Sequence, residues 1–400
     1  MIPALRQKFN ASWTQAQYDT LMADLQQRTH GSIAFPISET PCFFPHHLID
    51  DLASIGVDLI RQALSGEAAE AAARVVPDRF RGGVDSEKHP TYLQVDFGLV
   101  RHSDGRVEPR LVELQAFASL YGFQVALAEG YRHAFAMPGP VDDYLGGRTR
   151  DSYQSLVGHA IVGDRDPAEV VLMEINPERQ KTRPDFVMTE AIWGVRAVDT
   201  ADVFVKGRQL FYRRDGVVTR IRRIYNRVIP DELVRKNITL PFDYRQDLDV
   251  DWTGHPEWFF RVSKFSIPWL THPCVPRTWF LHQVKELPAP REHLVLKPLF
   301  SFAGGGISFA PTDEQLAAIP EPERANYILQ ERITFAPLID TPCGMTQAEI
   351  RIMYVWTDRP HAVLPLVRMG RGKMMGVDHN KGLHWVGASA GFMAGGEIAE

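Results

Sequence analysis

The chain has 400 residues, 44% of them hydrophobic and 23% charged, and its 44 basic and 49 acidic residues give a net charge of −5. That length predicts two or three domains with buried cores, and the charge excludes a globally basic protein that attracts nucleic acid. Three cysteines without a CxxC pair indicate a reducing cytoplasm rather than a disulfide framework or a zinc ribbon. With no signal peptide and no apolar run of about 18 residues visible, we expect no membrane partner.

Residues 1–90 are predicted to form a mainly helical N-terminal segment. Apolar residues recur at helical spacing over Trp13–Arg28, where Ser12 or Thr14 provides the cap, and again over His47–Leu64. The prolines of the segment between these helices predict an extended or turn conformation there. Cys42 lies in this segment and is expected to be a structural cysteine.

A β-hairpin is predicted next, from Tyr92–Val100 to Arg110–Gln115, because an Asp-Gly turn separates two alternating apolar runs. Residues two apart in a strand share a face, so Glu113 and Gln115 point the same way and Asp96 can meet them across the hairpin. Carboxylate and amide oxygens suit Mg²⁺. An ordinary solvated strand face would carry the same residues, and the pattern by itself leaves both interpretations open.

Residues 151–255 are predicted to form a small α/β unit. It has strands at Glu169–Ile175 and Val195–Val198, a helix at Pro184–Trp193, and a hairpin from Val203–Tyr212 to Val217–Ile224. A dense group of arginines follows, at Arg220, Arg222, Arg223 and Arg227. Such a group is typical of carboxylate or phosphate recognition, although charges also protect edge strands from aggregation.

The stretch 292–333 is predicted to run strand, glycine loop, strand, helix, strand. Its first strand ends in Lys297, and the loop Ser301–Gly306 contains Gly304, Gly305 and Gly306. Consecutive glycines let successive backbone N–H groups approach an anion, and the lysine adds a point charge beside it. A glycine-rich hairpin turn is the alternative. Two further strands are predicted at Glu349–Trp356 and His361–Arg368, before a polar, glycine-rich end.

In the order of its polar residues the chain resembles the ATP-grasp superfamily. The matching residues are Lys264, Lys297, the glycine loop, Gln330–Ile333, Arg351, Arg368 and Asn380. Here the acidic hairpin precedes these residues, as Asp96 and Glu113-Leu114-Gln115, which is similar to the circularly permuted group that includes glutathione synthetase and glutathionylspermidine-synthetase-like proteins. In that group the hairpin reads D…E-x-N, and Gln115 stands in place of the Asn.

The resemblance implies an α+β fold in which two ATP-grasp lobes clasp ATP, in circularly permuted order, beside a small α/β pre-ATP-grasp-like substrate domain. The expected organisation is an N-terminal helical segment, a metal-binding hairpin and helix that complete the C-terminal lobe, the substrate domain, the nucleotide-binding lobe with the glycine loop, and the C-terminal lobe. The corresponding residues are 1–90, 91–150, 151–255, 256–330 and 331–400.

The resemblance also implies a role for each matching residue. Lys264 and Lys297 would neutralise phosphates, and Ser301–Gly306 would close over them. Gln330 to Ile333 would line the adenine, while Glu331 or Asp340 would accept the ribose hydroxyls. Three further groups are expected to carry the metal and the chemistry. They are Asp96, Glu113 and Gln115 for Mg²⁺, Arg351 and Arg368 for the phosphoryl group or the substrate carboxylate, and Asn380 for the metal and phosphate.

The function that follows is an ATP- and Mg²⁺-dependent carboxylate–amine or peptide ligase. It would act on a small molecule or a peptide through an acyl-phosphate intermediate. ATP and Mg²⁺ are the implied cofactors, and a small-molecule or peptide carboxylate and an amine are the implied partners. Two alternatives stay open, namely a phosphotransferase on the same scaffold and an ATP-binding protein without turnover. Gln115 keeps the last one open because its amide oxygen lies one methylene further out than that of Asn.

Overall fold

The protein is described by a computed structural model that covers residues 1–82, 87–301, 304–376, 380 and 382–396. Within these ranges the helices are α1 (Pro3–Ser12), α2 (Gln15–Arg28), α3 (His46–Ala63), α4 (Gly66–Arg74), α5 (Phe123–Ala134), α6 (Arg150–Val162), α7 (Arg183–Trp193), α8 (Pro230–Arg235), α9 (Glu257–Arg261) and α10 (Asp313–Ala317). None of the helices in the described ranges combines the length and the apolar composition that a bilayer-spanning helix needs.

The strands of the described ranges fall into four sheets. They are β1 (Cys42–Pro45), β2 (Tyr92–Arg101), β3 (Val107–Gln115), β4 (Val170–Glu174), β5 (Arg196–Asp199), β6 (Phe204–Lys206), β7 (Gln209–Arg214), β8 (Val217–Ile221), β9 (Arg223–Asn226), β10 (Asp251–Thr253), β11 (Thr278–Phe280), β12 (Leu294–Pro298), β13 (Ser308–Phe309), β14 (Tyr327–Glu331), β15 (Gln347–Trp356), β16 (Pro360–Gly370) and β17 (Gly387–Ala394).

The largest sheet, which we call the central sheet, has six strands in the order β1-β17-β16-β15-β2-β3. Strand β1 pairs parallel with β17, and the other neighbours are antiparallel. The predicted hairpin, β2–β3, therefore joins strands that lie some 250 residues later in the chain. The N-terminal segment also contributes to this sheet through β1.

Three smaller sheets complete the fold. The parallel sheet has the order β10-β9-β4-β5. Strands β6, β7 and β8, which lie between β5 and β9 in the chain, form a separate three-stranded sheet. The lysine sheet, named for Lys297 on β12, has the antiparallel order β11-β14-β12-β13. Helix α3 packs on the strands of the central sheet, and its Leu52, Leu59 and Ile60 are completely buried in the main core.

The local predictions are largely confirmed, with boundaries shifted by a few residues. Helix α2 begins after Thr14, whose side chain accepts from the backbone N–H of Gln17 in a capping box. The predicted strand Val203–Tyr212 is wrong as a single element, because the chain turns at Gly207 (φ 62°) and forms β6 and β7. The predicted strand Val217–Ile224 likewise divides into β8 and β9, which belong to different sheets.

The polar C-terminal end contains a strand that the sequence pattern did not predict. All residues of β17 (GASAGFMA) are buried, so the run does not alternate between apolar and polar positions as a half-exposed strand does. A Cβ added to Gly391 would come within 3.1 Å of both Pro365 and Val367. Gly391 therefore packs tightly against the side chains of β16.

Candidate functional site

The site begins with four polar side chains that lie on neighbouring strands of the central sheet. Asp96 on β2 stands opposite Arg351 on β15, and Glu349 stands opposite Arg368 on β16. Directly opposed residues of antiparallel strands project to the same face. Asp96, Glu349 and Arg351 are each at least nine-tenths buried, so the register of the sheet alone assembles a buried charged cluster.

Asp96 is held by two arginines. Arg351 makes a bidentate contact, with Nε donating to Oδ1 and Nη2 to Oδ2, both at 2.6 Å. Arg368 donates to the same Oδ2 at 2.6 Å and also pairs with Glu349. Burial opposes the charge of Arg351, but the pairing with Asp96 outweighs it and raises the pKa of Arg351.

Gln115 and Gln94 extend this cluster toward the edge of the sheet. Gln94 accepts from Arg351 Nη1 at 2.6 Å and from Gln115 Nε2 at 2.7 Å. With its amide turned over, the oxygen of Gln115 accepts from Arg351 Nη1 and Nη2 at 3.2 Å. Gln94 and Glu349 were missed by the sequence reasoning, although each lies two positions from a predicted residue on the same strand, Asp96 and Arg351 respectively, which is the spacing of a shared strand face.

Glu113 connects the hairpin to the two lysines. Lys264 Nζ donates to Glu113 Oε1 at 3.0 Å and to the backbone carbonyl of Ser301 at 2.9 Å. Lys297 Nζ donates to the carbonyl of Val112 at 3.3 Å. Burial by itself would raise the pKa of Glu113, but the charge and hydrogen bond of Lys264, together with the charges of Lys297 and Arg351, outweigh it and lower that pKa. Residues from opposite halves of the chain therefore meet at one place.

The chain between Val262 and Cys274 brings Lys264 to this place. The Ser263 side chain caps the short 3₁₀ helix Lys264–Trp269. The backbone N–H groups of Leu111, in the middle of the hairpin's second strand, and of Ala116, directly after it, donate to the carbonyls of Cys274 and Val262 at 2.8 and 3.1 Å. The segment that carries Lys264 is thus fastened along the edge strand β3.

Lys297 lies on a face of the lysine sheet that also presents Gln330. Lys297 stands opposite Ile328 on β14, two residues from Gln330, so both polar side chains project to the same face. Burial lowers the pKa of Lys297 to about 8. Gln330 is completely buried; its Nε2 donates to Thr278 at 3.0 Å and its Oε1 has no partner.

The glycine loop is described only in part, because Phe302 and Ala303 lie outside the described residues. Gly304 and Gly306 have φ angles of 75° and 74°, a region that favours glycine. A Cβ added to Gly306 would also come within 2.7 Å of Pro298. Gly305 is exposed, and Ser301 is half-buried, with its hydroxyl 3.4 Å from the carbonyl of Pro298.

Three of the predicted residues have other surroundings. The carboxylate of Glu331 pairs with Arg277 at the end of β14, and Ile333 is half-buried in the loop that follows this strand. Asp340 is exposed, and its carbonyl accepts from Asn10 of α1 at 3.1 Å. These contacts place Asp340 against the N-terminal helix, and its predicted role toward the ribose stays a prediction.

Asn380 is buried, and its amide is committed to the backbone of its own loop. The oxygen accepts from the N–H of Arg371 at 3.1 Å, and the nitrogen donates to the carbonyls of Met374 and Gly376, both at 3.2 Å. A Cβ on Gly370 would come within 2.9 Å of this amide. In this arrangement Asn380 fixes the loop 370–376, which leaves the predicted catalytic role without a contact to support it.

The arginine group at 220–227 is dispersed by the fold. Arg220 pairs with Asp249, Arg222 with Glu169, and Arg223 donates to backbone carbonyls of α6. Arg227 is buried and donates to Asp185 at 2.5 Å. Because successive strand residues point to opposite sides, the arginines do not form one anion-binding surface.

No protein-family model matches the sequence, and no curated protein matches it. A solved structure that is similar is that of a glutathione synthetase-like effector from Globodera pallida in its apo form, with a TM-score of 0.56 and 11% identity over 95% of this chain and 98% of that chain. The chain has a glutathione synthetase-like fold. At this identity the similarity concerns the fold alone, and it agrees with the predicted α+β class.

Proposed function

We propose that the protein is an ATP- and Mg²⁺-dependent carboxylate–amine or peptide ligase, built as an ATP-grasp fold in circularly permuted order. The observation that carries the proposal is the contact between Lys264 and Glu113, which are 151 residues apart in sequence. It places the early acidic hairpin against the lysines of the later half of the chain. The glutathione synthetase-like fold is consistent with such a site but does not establish its reaction.

The surroundings of the lysines fit the phosphates of ATP. Four cationic side chains, Lys264, Lys297, Arg351 and Arg368, meet only three carboxylates there, those of Asp96, Glu113 and Glu349. Burial disfavours the charged form of Glu349 and raises its pKa. The Nε of Arg368 is buried without a partner. An added anion would satisfy this excess of donors and positive charge.

The base of a nucleotide would fit at the same face of the lysine sheet. Gln330 offers a buried amide oxygen without a partner, and an unsatisfied buried acceptor is costly unless a ligand or water donates to it. An exocyclic amino group is a suitable donor. We therefore assign Gln330 to the adenine, and Lys297, two residues from it on the same face, to the phosphates.

The fit to Mg²⁺ is more restricted. Across the described residues, no group of three or more His, Cys, Asp and Glu side chains is arranged to hold a metal ion. Both oxygens of Asp96 accept from arginines, and Gln115 lies against Arg351. Glu113, which accepts from a single lysine, is the carboxylate that would contact a metal brought in with the phosphates. Asp96 and Gln115 as ligands remain predictions that require the arginines to move.

The chemistry assigned to ATP is to convert a carboxylate into an acyl phosphate, whose phosphate leaves when an amine attacks. The residues of the chain supply charge and position. Lys264 and Lys297 would neutralise phosphate oxygens, and Arg351 and Arg368 would stabilise the negative charge that develops on the carbonyl oxygen. The glycine loop would cover the site and exclude water, which otherwise hydrolyses the activated acid.

The test has two parts. Isothermal titration with ATP in the presence and absence of Mg²⁺ measures nucleotide binding, and an ADP-release assay over amino acids, small peptides and polyamines measures turnover. We expect binding and ADP release that requires both an acid and an amine. Protein that binds ATP but releases no ADP with any acid–amine pair would contradict the ligase assignment.

A second candidate is an ATP-binding protein without turnover, such as a sensor or a partner subunit. The arginines that occupy Asp96, together with Gln115 in place of Asn, favour it, because they reduce the ligands available to a metal. Binding that is equally tight with and without Mg²⁺, and no ADP release, is the result that this candidate predicts.

A further inference from the structure

A cavity lies on the face of the central sheet opposite the Asp96 cluster. Side chains of β15 project alternately to the two faces of this sheet. Arg351 donates to Asp96 on one face, whereas Tyr354 donates to the carbonyl of Ala53 in α3 at 2.9 Å on the other. Trp356, two residues beyond Tyr354, lines a groove of about 810 Å³ between α3, the turn from β15 to β16, and the loop before α6. We call it the α3 groove.

The floor of the α3 groove is apolar. Ala53, Val57 and Leu64, which are partly exposed, are spaced along one side of α3 and its end, which is the spacing of a helical stripe. Across from them stands the half-buried indole of Trp356, stacked on His89 with ring centroids 4.8 Å apart and planes at 15°. The volume lies within the range of about 300–1,000 Å³ that is typical of small-molecule sites.

The rim of the groove carries an excess of positive charge. Three arginines, Arg61, Arg148 and Arg359, line it together with the imidazole of His361, against a single carboxylate among the lining residues, Asp50. Two of these side chains have acidic partners of their own, since Arg61 lies 3.6 Å from Asp58 and His361 lies 2.6 Å from Asp358.

Arg148 and Arg359 differ from the other two. Arg148 Nη1 donates only to the carbonyls of Leu145 and Ala362, at 2.8 and 2.9 Å, and its Nη2 lies 3.3 Å from His361 Nδ1. Burial first, and then the nearby charge of Arg359, lower the pKa of Arg148. Neither arginine forms an ion pair with a carboxylate in the part of the chain that the structure describes. A half-buried guanidinium beside a second one favours the entry of an anion.

We propose that the α3 groove binds a small organic anion with a flat apolar body, its carboxylate, sulfonate or phosphate group lying at Arg148 and Arg359 and its body against Trp356 and the α3 stripe. The apolar floor contributes affinity through burial, and the guanidinium pair selects for negative charge. This site is separate from the proposed nucleotide site, because the central sheet lies between them.

The test uses 8-anilinonaphthalene-1-sulfonate as the probe, with the uncharged N-phenyl-1-naphthylamine as its matched analogue. Fluorescence titration of the intact protein at low salt should give a Kd for the sulfonate about tenfold below that of the neutral compound. The exposed substitution Arg359→Gln should raise the sulfonate Kd about three- to tenfold and leave the neutral compound unaffected. Arg74→Gln, which removes an exposed arginine of α4 outside the groove, should change neither.

A second variant locates the probe. Ser54 is an exposed residue of α3 that lines the groove, and Ser54→Trp should fill the space and abolish most of the fluorescence increase. Asp51→Trp, at an exposed position of the same helix outside the groove, is the control for folding and should bind the probe normally. Equal affinity for the sulfonate and the neutral compound would overturn the proposal and indicate an apolar surface for a macromolecule. Unchanged binding in Ser54→Trp would also overturn it.

Discussion

Two buried aspartates show how differently the same side chain is used in this protein. Asp185, at the start of α7, accepts from the backbone N–H groups of Leu120, Gly122 and Phe123 at 2.8–3.0 Å, and from Arg227. Its four contacts connect α7, the chain before α5 and the end of the parallel sheet. Asp185 therefore holds pieces of backbone together.

Asp96 accepts from side chains in the central sheet, in the bidentate contact of Arg351 and the single contact of Arg368. Side chains can exchange one partner for another at a much lower cost than backbone segments can move. Arg351 also keeps Gln94, and Arg368 keeps Glu349, if Asp96 is lost. The difference indicates that Asp185 serves stability, whereas the Asp96 cluster is able to respond to a ligand.

The largest expected effect tests this contrast directly by substitution of each aspartate. Asp185→Asn should lower the free energy of unfolding by about 3–5 kcal/mol, because it leaves Arg227 as an uncompensated buried charge and removes an acceptor from backbone donors. Asp96→Asn should cost only about 1–2 kcal/mol, since the charge of Glu349 remains near both arginines and Arg351 also keeps Gln94. Urea unfolding of the two variants measures the difference, and equal losses would remove the basis for the comparison.

The next largest effect concerns Lys297, the buried lysine that we assign to the phosphates. Lys297→Met keeps an unbranched side chain that is one atom shorter and removes the charge. We expect ATP to bind about 30- to 100-fold more weakly, the value of a lost charge-assisted hydrogen bond of about 2–3 kcal/mol. Isothermal titration provides the measurement. Lys285→Met, at an exposed position, is the matched control and should bind ATP normally.

The protonation of Lys297 gives a smaller, pH-dependent effect. Burial lowers its pKa to about 8, so the charged form that attracts phosphate dominates below that pH and is lost above it. ATP affinity should fall by up to about tenfold between about pH 7 and 9, a range that most lysines, with pKa near 10.4, pass through unchanged. The same titration with Lys297→Met should show a flat profile over this range; a parallel fall in that variant would assign the effect to another group.

The smallest expected effect separates binding from stability at Arg368. Its side chain is 26% exposed and its Nε lacks a partner. The amide of a glutamine can still donate to the buried carboxylate of Glu349, so Arg368→Gln should lower the unfolding free energy by about 1 kcal/mol. Anion binding should weaken about fivefold, because one charged donor is lost. The two values come from urea unfolding and from titration with ATP. A large loss of stability with unchanged binding would place Arg368 with Asp185 among the structural residues.

The sequence by itself determined the elements whose signals are local. The cap at Thr14, the apolar spacing of α3 and the Asp-Gly turn between β2 and β3 each depend on residues within one or two turns of chain, and all three elements were predicted. The same local pattern predicted that Glu113 and Gln115 share a strand face. These features follow from backbone periodicity and capping, which do not require knowledge of the rest of the molecule.

Only the tertiary structure decided which strands pair and which charges meet. β17 was missed because a strand buried on both faces has no alternating pattern, and the partners of Asp96 were missed because they arrive from β15 and β16, some 250–270 residues away. The close spacing of the arginines at 220–227 suggested one surface, whereas in the structure each contacts a different partner. Pairing across such distances is set by sheet register and by burial of the whole core, which no local window of the sequence contains.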